Sequence, residues 1–357
     1  MERRPSGRRG NRELCAGEVR QLQKGHTDVK QGTLRTLLMA LVALVLAFGL
    51  AACGDDDDSS SSSTGASTSA STTGGTETSA DGALPGEGKP AVTLGTKNFT
   101  EQFVLGELYK QALEARGFSV NLKENIGSTE IADRALRSGQ IDLYPEYIGI
   151  FNNVVAGDTR TYPDVQAAFQ AGKAYAERNG FTLLPLTPFT DVDALAVTPE
   201  YSERNGIRSV ADLTKVPGFR LGAAPEFRRR ATGLPGLARA YGVRDLKFSP
   251  LTIGLQYDAI DNGKIDVAQV FTTDGKLEGG RYVVLDDPKN IFGFQNVTPV
   301  VSSRVLEAEG PAFAETIDAV SQKLTTEAMQ RMNAAVDIDK QQPAEVAKTY
   351  LQANGLL

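Results

Sequence analysis

The stretch SGQIDLYPEY (residues 138–147) recurs in altered form as NGKIDVAQVF (residues 262–271). In each copy the end of a predicted helix is followed by a glycine, an Ile-Asp pair and a strand that leads to an aromatic residue. A glycine after a helical pattern and a short β-branched apolar run indicate a helix end followed by a buried strand. The repeat therefore predicts equivalent positions in two similar α/β lobes.

The segments around each copy alternate between strand and helix patterns. A β-α-β-α-β order implies a parallel sheet with crossover connections. The predicted strands cover residues 91–96, 118–125 and 141–144 in the first half, and 194–198, 219–224, 246–251 and 264–271 in the second. The predicted helices cover residues 100–117, 128–139, 232–242 and 252–263.

The order of these elements predicts two lobes that are joined by extended crossings near Asp191 and Val297. Lobe 1 is predicted to combine residues 90–190 with residues 298–357, and lobe 2 to comprise residues 191–297. The mostly helical tail after residue 311 is expected to pack on lobe 1. Two such lobes form a hinge and a cleft, and ligands of open α/β sheets bind beyond the carboxyl ends of the strands.

The N-terminal region has the pattern of an export signal. An apolar run at residues 37–52 follows Arg35 and is too short to span a membrane comfortably. It ends in Leu-Ala-Ala-Cys, which resembles a bacterial lipobox, so we interpret residues 1–52 as a lead and signal peptide and Cys53 as the lipidated mature N-terminus. The alternative is an uncleaved anchor helix. Residues 53–89 are rich in Asp, Ser, Thr and Gly and predict a flexible tether.

The charge balance and the scarcity of His and Cys exclude several classes of function. Residues 1–52 contain nine of the 38 basic and four of the 44 acidic residues, so the remainder has a net charge of −11 and is a poor partner for nucleic acid. The single histidine, His26, and Cys15 also lie in the removed segment. Lipidated Cys53 then leaves no disulfide, no His/Cys metal site and no Ser-His or Cys-His nucleophile pair. We expect no cofactor.

Charged, amide and aromatic residues gather at the predicted strand ends. Lys97 lies at a strand-to-helix junction, where free backbone amides favour an anion, and an arginine from the other lobe could hold a carboxylate bidentately. Aromatic faces opposite them suit a cation. Together they predict a site for a small zwitterion with separated charges. The candidates are Lys97, Thr100, Gln102, Tyr147, Asp191, Asp193, Glu226, Arg228 to Arg230, Phe271 and Gln295.

Several of these candidates have a structural alternative. Lys97 after a strand could simply be solvated, and Phe271 could be a core residue. We expect Tyr144, which follows the strand alternation, to pack in the core. Tyr147 comes after a Pro-Glu pair that we interpret as a turn, so we expect it to have left the strand and to face the ligand.

Three motifs resemble the substrate-binding lipoproteins of osmoprotectant ABC importers. They are GTKNFTEQFVLGEL (residues 95–108), GSTEIADRALRSGQIDLYPEYIG (residues 127–149) and DNGKIDVAQVFTTDG (residues 261–275). That family binds glycine betaine, choline, carnitine and related quaternary ammonium compounds. The resemblance implies a two-lobed periplasmic-binding-protein fold, type II-like, that closes over its ligand and docks on an ABC permease. It also implies a location outside the cytoplasm, on the outer face of the bacterial membrane.

The resemblance also assigns roles to individual residues. Lys97 and Arg230 match the lysine and arginine that take the ligand's carboxylate. Tyr147 matches a tyrosine of the cage around the trimethylammonium group. Gln102 matches the glutamine of the first motif.

The chain departs from the family pattern at four positions. Ile150 replaces the threonine that ends YPEYTGT, and Asp193, Phe271 and Gln295 each stand where the family has a tyrosine. Asp193 would supply formal charge where the family uses aromatic faces, and Gln295 would add a hydrogen bond. We therefore expect a cation with N–H donors or a larger zwitterion, since a buried carboxylate favours a nitrogen that can donate a hydrogen bond.

Two other classes of function remain as alternatives. An enzyme on the same scaffold could use Asp191 and Asp193 for acid–base chemistry, although these carboxylates have no histidine, cysteine or metal to support them. A ligand-sensing receptor or a regulator is disfavoured, since no signalling segment or helix-turn-helix pattern follows the lobes. Another cationic ligand derived from an amino acid is the alternative within the binding-protein class.

Overall fold

Two open β-sheets organise residues 82–357, the part of the chain that this computed structural model describes. The strands in chain order are β1 (Val92–Gly95), β2 (Val120–Lys123), β3 (Leu143–Tyr147), β4 (Phe181–Leu183), β5 (Asp193–Val197), β6 (Phe219–Ala223), β7 (Leu246–Pro250), β8 (Val267–Phe271), β9 (Val283–Val284) and β10 (Val297–Ser302). The predicted signal peptide, the lipidated Cys53 and most of the predicted tether lie outside the described residues.

Eleven α-helices are assigned within the described residues, and two short ones continue as wider turns over Phe151–Val155 and Leu237–Tyr241. Three short 3-10 helices cover Val210–Lys215, Pro225–Arg228 and Gly275–Gly280. In chain order the α-helices are α1 (Thr100–Ala115), α2 (Thr129–Arg137), α3 (Ile148–Ile150), α4 (Val165–Arg178), α5 (Pro199–Asn205), α6 (Leu234–Gly236), α7 (Leu255–Asp261), α8 (Ser303–Glu309), α9 (Pro311–Ser321), α10 (Thr326–Asp337) and α11 (Pro343–Ala353).

The two sheets have the same strand pattern. The first sheet has the order β2-β1-β3-β10-β4 and the second has the order β7-β6-β8-β5-β9. In each sheet three parallel strands are followed by an antiparallel strand that arrives from the other half of the molecule. The predicted two-lobed α/β fold is confirmed, although each sheet is mixed rather than purely parallel.

The Ile-Asp pair of the sequence repeat has the same structural role in both sheets. The Asp142 carboxylate accepts a hydrogen bond from the backbone N–H of Thr93 in β1 at 2.8 Å. The Asp266 carboxylate accepts one from the backbone N–H of Arg220 in β6, also at 2.8 Å. Each aspartate also donates its own N–H to the carbonyl of the same strand residue. The repeated aspartate therefore holds β3 beside β1 in the first sheet and β8 beside β6 in the second.

Tyr144 and Tyr147 both belong to β3, so the prediction that Tyr147 has left the strand is wrong. Proline cannot donate a ladder hydrogen bond, so a proline usually disfavours the interior of a strand. Here Pro145 lies opposite Pro299 of β10, so the strand continues through a pair in which neither residue has an N–H. Tyr144 is fully buried in the core under α2 and α4, as predicted.

The C-terminal helices complete the core of the first lobe. Phe313, Ile317 and Leu351 are fully buried in the same apolar cluster as Leu108 of α1 and Leu94 of β1. The expectation that the tail packs on lobe 1 is confirmed. A helical pattern with a wide apolar stripe requires such a covering partner.

Two extended crossings lie side by side between the lobes. Thr190 forms an antiparallel bridge with Asn296, and the Asp191 N–H donates to the Gln295 carbonyl at 3.1 Å. Gly149 packs directly against this region, since a β-carbon there would lie 2.4 Å from the carbonyl oxygen of Phe294. The end of the YPEYIGI segment is thus in contact with the crossings.

Replacing Phe313 tests whether the tail belongs to the lobe 1 core. Phe313→Ala leaves a cavity against Phe118 and the α1 helix, and we expect it to cost about 3–5 kcal/mol of unfolding free energy in denaturant titration. Ile338→Ala removes an exposed side chain at the end of α10, and should change stability by less than about 0.5 kcal/mol. Equal effects of the two substitutions would contradict this packing.

Candidate ligand-binding site

A pocket lies between the two sheets at the ends of β1, β3, β5 and β8. Together with the open solvent at its mouth, the pocket encloses about 470 Å³. Seven of the eight predicted ligand-binding residues line it, and the eighth, Gln102, lies behind Tyr147. The seven are Lys97, Tyr147, Asp191, Asp193, Arg230, Phe271 and Gln295.

Lys97 is buried, and its ammonium group is already paired. It donates to the carboxylate of Glu146, which is fully buried in β3, and more weakly to the Thr129 hydroxyl at 3.4 Å. It also lies 4.3 Å from the centre of the Tyr147 ring. Burial lowers the pKa of Lys97, and the charge and hydrogen bond of Glu146 oppose that shift.

Arg230 is also paired, and its partner comes from the other lobe. Its Nε and Nη2 donate to the two carboxylate oxygens of Glu130, at 3.2 and 3.0 Å, while Glu226 is 3.9 Å away. Burial opposes ionisation of Glu130, but the hydrogen bonds and charge of Arg230 prevail and lower the pKa of Glu130 to about 2. Lys97 and Arg230, the two residues predicted to bind the ligand's carboxylate, are therefore each already paired with a glutamate of the protein. The sequence did not indicate this pairing.

Asp191 and Asp193 place two buried carboxyl groups in the pocket. Asp193 begins β5 directly opposite Phe271 of β8, and its carboxylate accepts a hydrogen bond from Gln269. Burial raises the pKa of Asp193, and Gln269 and the two cations oppose the shift. Burial, and then the charge of Glu101, raises the pKa of Asp191 well above its ordinary value. Both groups would be stabilised by a nearby positive charge.

Three aromatic rings form a stack across the cleft. The ring centre of Phe99, which precedes α1, lies 5.8 Å from that of Phe271 with the planes only 5° apart. On its other side Phe99 lies 6.2 Å from Tyr147. Phe271 belongs to the second lobe, so the stack joins the lobes. Phe99 was not singled out from the sequence, although it lies two residues after Lys97 in the first motif.

The remaining predicted residues position their neighbours. Gln102 donates to the Tyr147 hydroxyl at 3.3 Å and does not line the pocket. Gln295 lines the pocket but uses its amide to accept from Ile150 N–H and to donate to the Phe292 carbonyl. Ile150 presents an apolar side chain to the pocket.

Thr100 does not line this pocket, and its hydroxyl donates to Asp337 at 2.6 Å. The N-terminus of α1 lines the pocket through its capping residue Phe99, and that of α2 does so through Ser128 and Thr129.

A second set of polar contacts crosses the cleft around Glu101. The Glu101 carboxylate accepts from the Tyr147 hydroxyl at 2.7 Å, from the Thr273 hydroxyl at 2.5 Å and from the Asn333 amide at 3.1 Å. Thr273 lies after β8 in the second lobe, so this network also links the lobes. Burial raises the pKa of Glu101 and raises that of neighbouring Asp274 to about 6.

Most of the cleft residues that the sequence did not single out lie inside the quoted motifs, although Asn333 of the Glu101 network does not. Phe99 belongs to the first motif, Glu130 and Glu146 to the second, and Thr273 to the third. Their chemistry depends on partners that are distant in the sequence, so the only signal in the sequence was adjacency to a predicted residue.

Among residues 82–357, no helix has both the length and the apolar character needed to cross a membrane.

The fold and the pocket define a class: a two-lobed protein that holds a small molecule between its lobes. Residues 90–353 match the family model described as the substrate binding domain of ABC-type glycine betaine transport systems. The chain belongs to this family.

Named relatives agree with this assignment. A glycine-betaine-binding protein of Pseudomonas aeruginosa is 35% identical over 280 residues, covering 74% of this chain and 88% of the relative. The carnitine transport binding protein OpuCC of Listeria monocytogenes is 26% identical over 275 residues, covering 76% and 89%.

Solved structures show the same fold. The crystal structure of a glycine betaine/carnitine/choline ABC transporter aligns with a TM-score of 0.60 and 26% identity, over 74% of this chain and 99% of the other. The apo form of YehZ from Escherichia coli aligns with a TM-score of 0.54 and 27% identity, over 75% and 99%.

The raised pKa of Asp191 predicts an unusual dependence of stability on pH. Between the ordinary value of 3.8 and the raised value, the folded chain binds a proton that the unfolded chain does not. Stability from this group therefore rises as pH falls from neutral. Asp191→Asn should raise the Tm at pH 7.5, by about 2–4 °C per kcal/mol regained, and the gain should shrink toward pH 5, as measured by scanning calorimetry.

Asp266→Asn is the matched control. Its hydrogen bonds to Arg220 lower the pKa of Asp266, so this change should reduce the Tm at pH 7.5. A lower Tm for Asp191→Asn at every pH would show that its carboxylate does not destabilise the ligand-free fold.

Proposed function

We propose that this protein is an extracytoplasmic solute-binding protein that delivers a small cationic or zwitterionic osmolyte of the quaternary ammonium class to an ABC permease. The observation that carries the proposal is the pocket itself, in which buried Asp191 and Asp193 lie beside an aromatic stack at the interlobe cleft. Carboxylates and aromatic faces together attract an alkylated ammonium group. The names of the relatives support the same ligand class.

The charge of the pocket favours a positively charged group. Lys97 and Arg230 are each paired with a glutamate that does not line the pocket, whereas Asp191, Asp193 and Glu226 line it. The two cations are therefore locally neutralised, and a bound cation would favour the ionised form of the two aspartates, whose pKa values burial raises. Ionisation of these carboxyl groups would then contribute to the affinity for the cation.

Ligand entry requires the lobes to separate. With ring centres 5.8 Å apart, Phe99 and Phe271 are in direct contact and leave no space for a group between them. We propose that residues 90–190 with 298–357 move as one lobe and residues 191–297 as the other, about the crossings at Thr190 and Asn296. A ligand that contacts both lobes shifts the population toward the closed form.

Calorimetric titration of the full chain with choline, glycine betaine and carnitine tests the ligand class. We expect at least one to bind with one-to-one stoichiometry. Asp193→Ala should weaken it about tenfold or more, because the variant removes a buried charge beside the cationic group. Asp245→Ala is the control: it removes an exposed aspartate of the second lobe and should leave the affinity unchanged.

Two outcomes would count against this proposal. The absence of binding by all three compounds overturns the ligand class. Micromolar binding of glycine betaine that Asp193→Ala does not alter overturns the role of Asp193. The bound compound should also be recovered intact, as a binding protein requires. Its chemical conversion would favour the alternative that Asp191 and Asp193 act as catalytic carboxylates.

We further propose that a lipid on Cys53 anchors the protein to the outer face of the cell membrane, because the Leu-Ala-Ala-Cys sequence follows a short apolar run. Cys53→Ser should transfer the protein from the membrane fraction to the soluble fraction, as measured by immunoblotting of both. Ser59→Ala, in the following polar tract, is the control and should remain with the membrane. Membrane retention of the Cys53→Ser protein would contradict a lipid anchor.

A further inference from the structure

Arg230 reaches the pocket from the second lobe, but its guanidinium fork is occupied. Both oxygens of Glu130, in the first lobe, accept from it at 3.0 and 3.2 Å, which is bidentate geometry. A ligand carboxylate has the same shape and charge as the Glu130 carboxylate. It therefore requires the same two donors that Glu130 already uses.

Glu130 also lies at the N-terminus of a helix, which is the second feature of the site that favours an anion. It lies in the first turn of the nine-residue helix α2, whose N-terminal residues Ser128 and Thr129 line the pocket. Its carboxylate additionally accepts from the Ser128 hydroxyl at 2.6 Å. The positive end of a helix and an arginine fork are both favourable places for a carboxylate, and here both hold Glu130.

Lys97, the other cation of the pocket, is also paired with a glutamate. Lys97 pairs with Glu146, which is fully buried. Glu146 cannot move to solvent as easily as Glu130, whose side chain is 37% exposed at the rim of the cleft. Of the two carboxylate partners, Glu130 is therefore the one that a ligand could displace.

We infer that Glu130 is a specificity determinant: it acts as a built-in carboxylate that competes with a ligand's carboxylate for Arg230, so the site favours cations over zwitterions. This inference rests on the proposed function. A cation such as choline has no carboxylate and leaves the Glu130–Arg230 bridge intact across the lobes. A zwitterion such as glycine betaine must either displace Glu130 or bind without the arginine. Since Glu130 stays ionised down to about pH 2, neutral pH does not relieve the competition.

The test is the ratio of two dissociation constants, measured by calorimetry on the full chain. Glu130→Gln keeps the length of the side chain and removes its charge, so Arg230 becomes available to a ligand. The ratio of the glycine betaine Kd to the choline Kd should fall about tenfold or more relative to wild type. Glu130→Ala should shift the ratio in the same direction.

Gln330→Ala is the matched control for lobe closure. The Gln330 amide in α10 donates to the Thr272 carbonyl of the second lobe at 2.9 Å, away from Arg230. Its loss should change both dissociation constants by the same factor and leave their ratio unchanged. A ratio that shifts equally in Gln330→Ala and Glu130→Gln would overturn the inference.

The outcomes separate this inference from the proposed function. If both compounds bind and the ratio is unchanged in Glu130→Gln and Glu130→Ala, the role of Glu130 is wrong while the ligand class stands. If neither choline nor glycine betaine binds wild type or any variant, the proposed ligand class itself fails and this inference fails with it.

Discussion

Compensation of buried charge is the constraint on which the arrangement of the cleft depends. Lys97, Glu146 and Asp191 are each at most 4% exposed, and an ionised group removed from water costs several kcal/mol unless it is paired. The partners do not all come from one lobe. Glu130 reaches Arg230, and Glu101 meets Thr273, across the cleft. The lobes are therefore in contact where an ion pair and a hydrogen bond join a residue of one lobe to a residue of the other.

The Lys97–Glu146 pair shows how strand order and site chemistry are connected. Lys97 follows β1 and Glu146 belongs to β3, and these strands are neighbours because the Asp142 carboxylate holds the backbone of Thr93. Removing one partner of such a buried pair typically costs about 3–5 kcal/mol. An aspartate outside the pocket thus sets the register that allows a buried ion pair inside it. The corresponding aspartate of the second sheet, Asp266, places Phe271 at the same edge.

Local sequence signals were sufficient for most of the fold. The Ile-Asp repeat, the glycines after α1 and α2 and the apolar runs predicted seven strands and the helices between them. The short strands β4 and β9 and the antiparallel β10 were not predicted, because they are defined by partners distant in sequence rather than by their own pattern. Tyr147 was misplaced for the same reason, since only the opposing Pro299 shows why Pro145 can remain in a strand.

The site was predictable in position but not in charge state. Motif resemblance placed Lys97, Arg230 and Asp193 at the pocket, because each lies at a strand or turn end whose location follows from the fold. Spacing along the chain could not indicate that Glu146 and Glu130 neutralise the two cations, since each pairing joins segments that are distant in the sequence. This difference matters for the proposed ligand class. With both cations paired, Asp191, Asp193 and the aromatic stack are the groups of the pocket that would stabilise a bound positive charge. The proposed preference for the positive end of a zwitterion therefore depends on two glutamates outside the pocket lining as much as on the residues that line it.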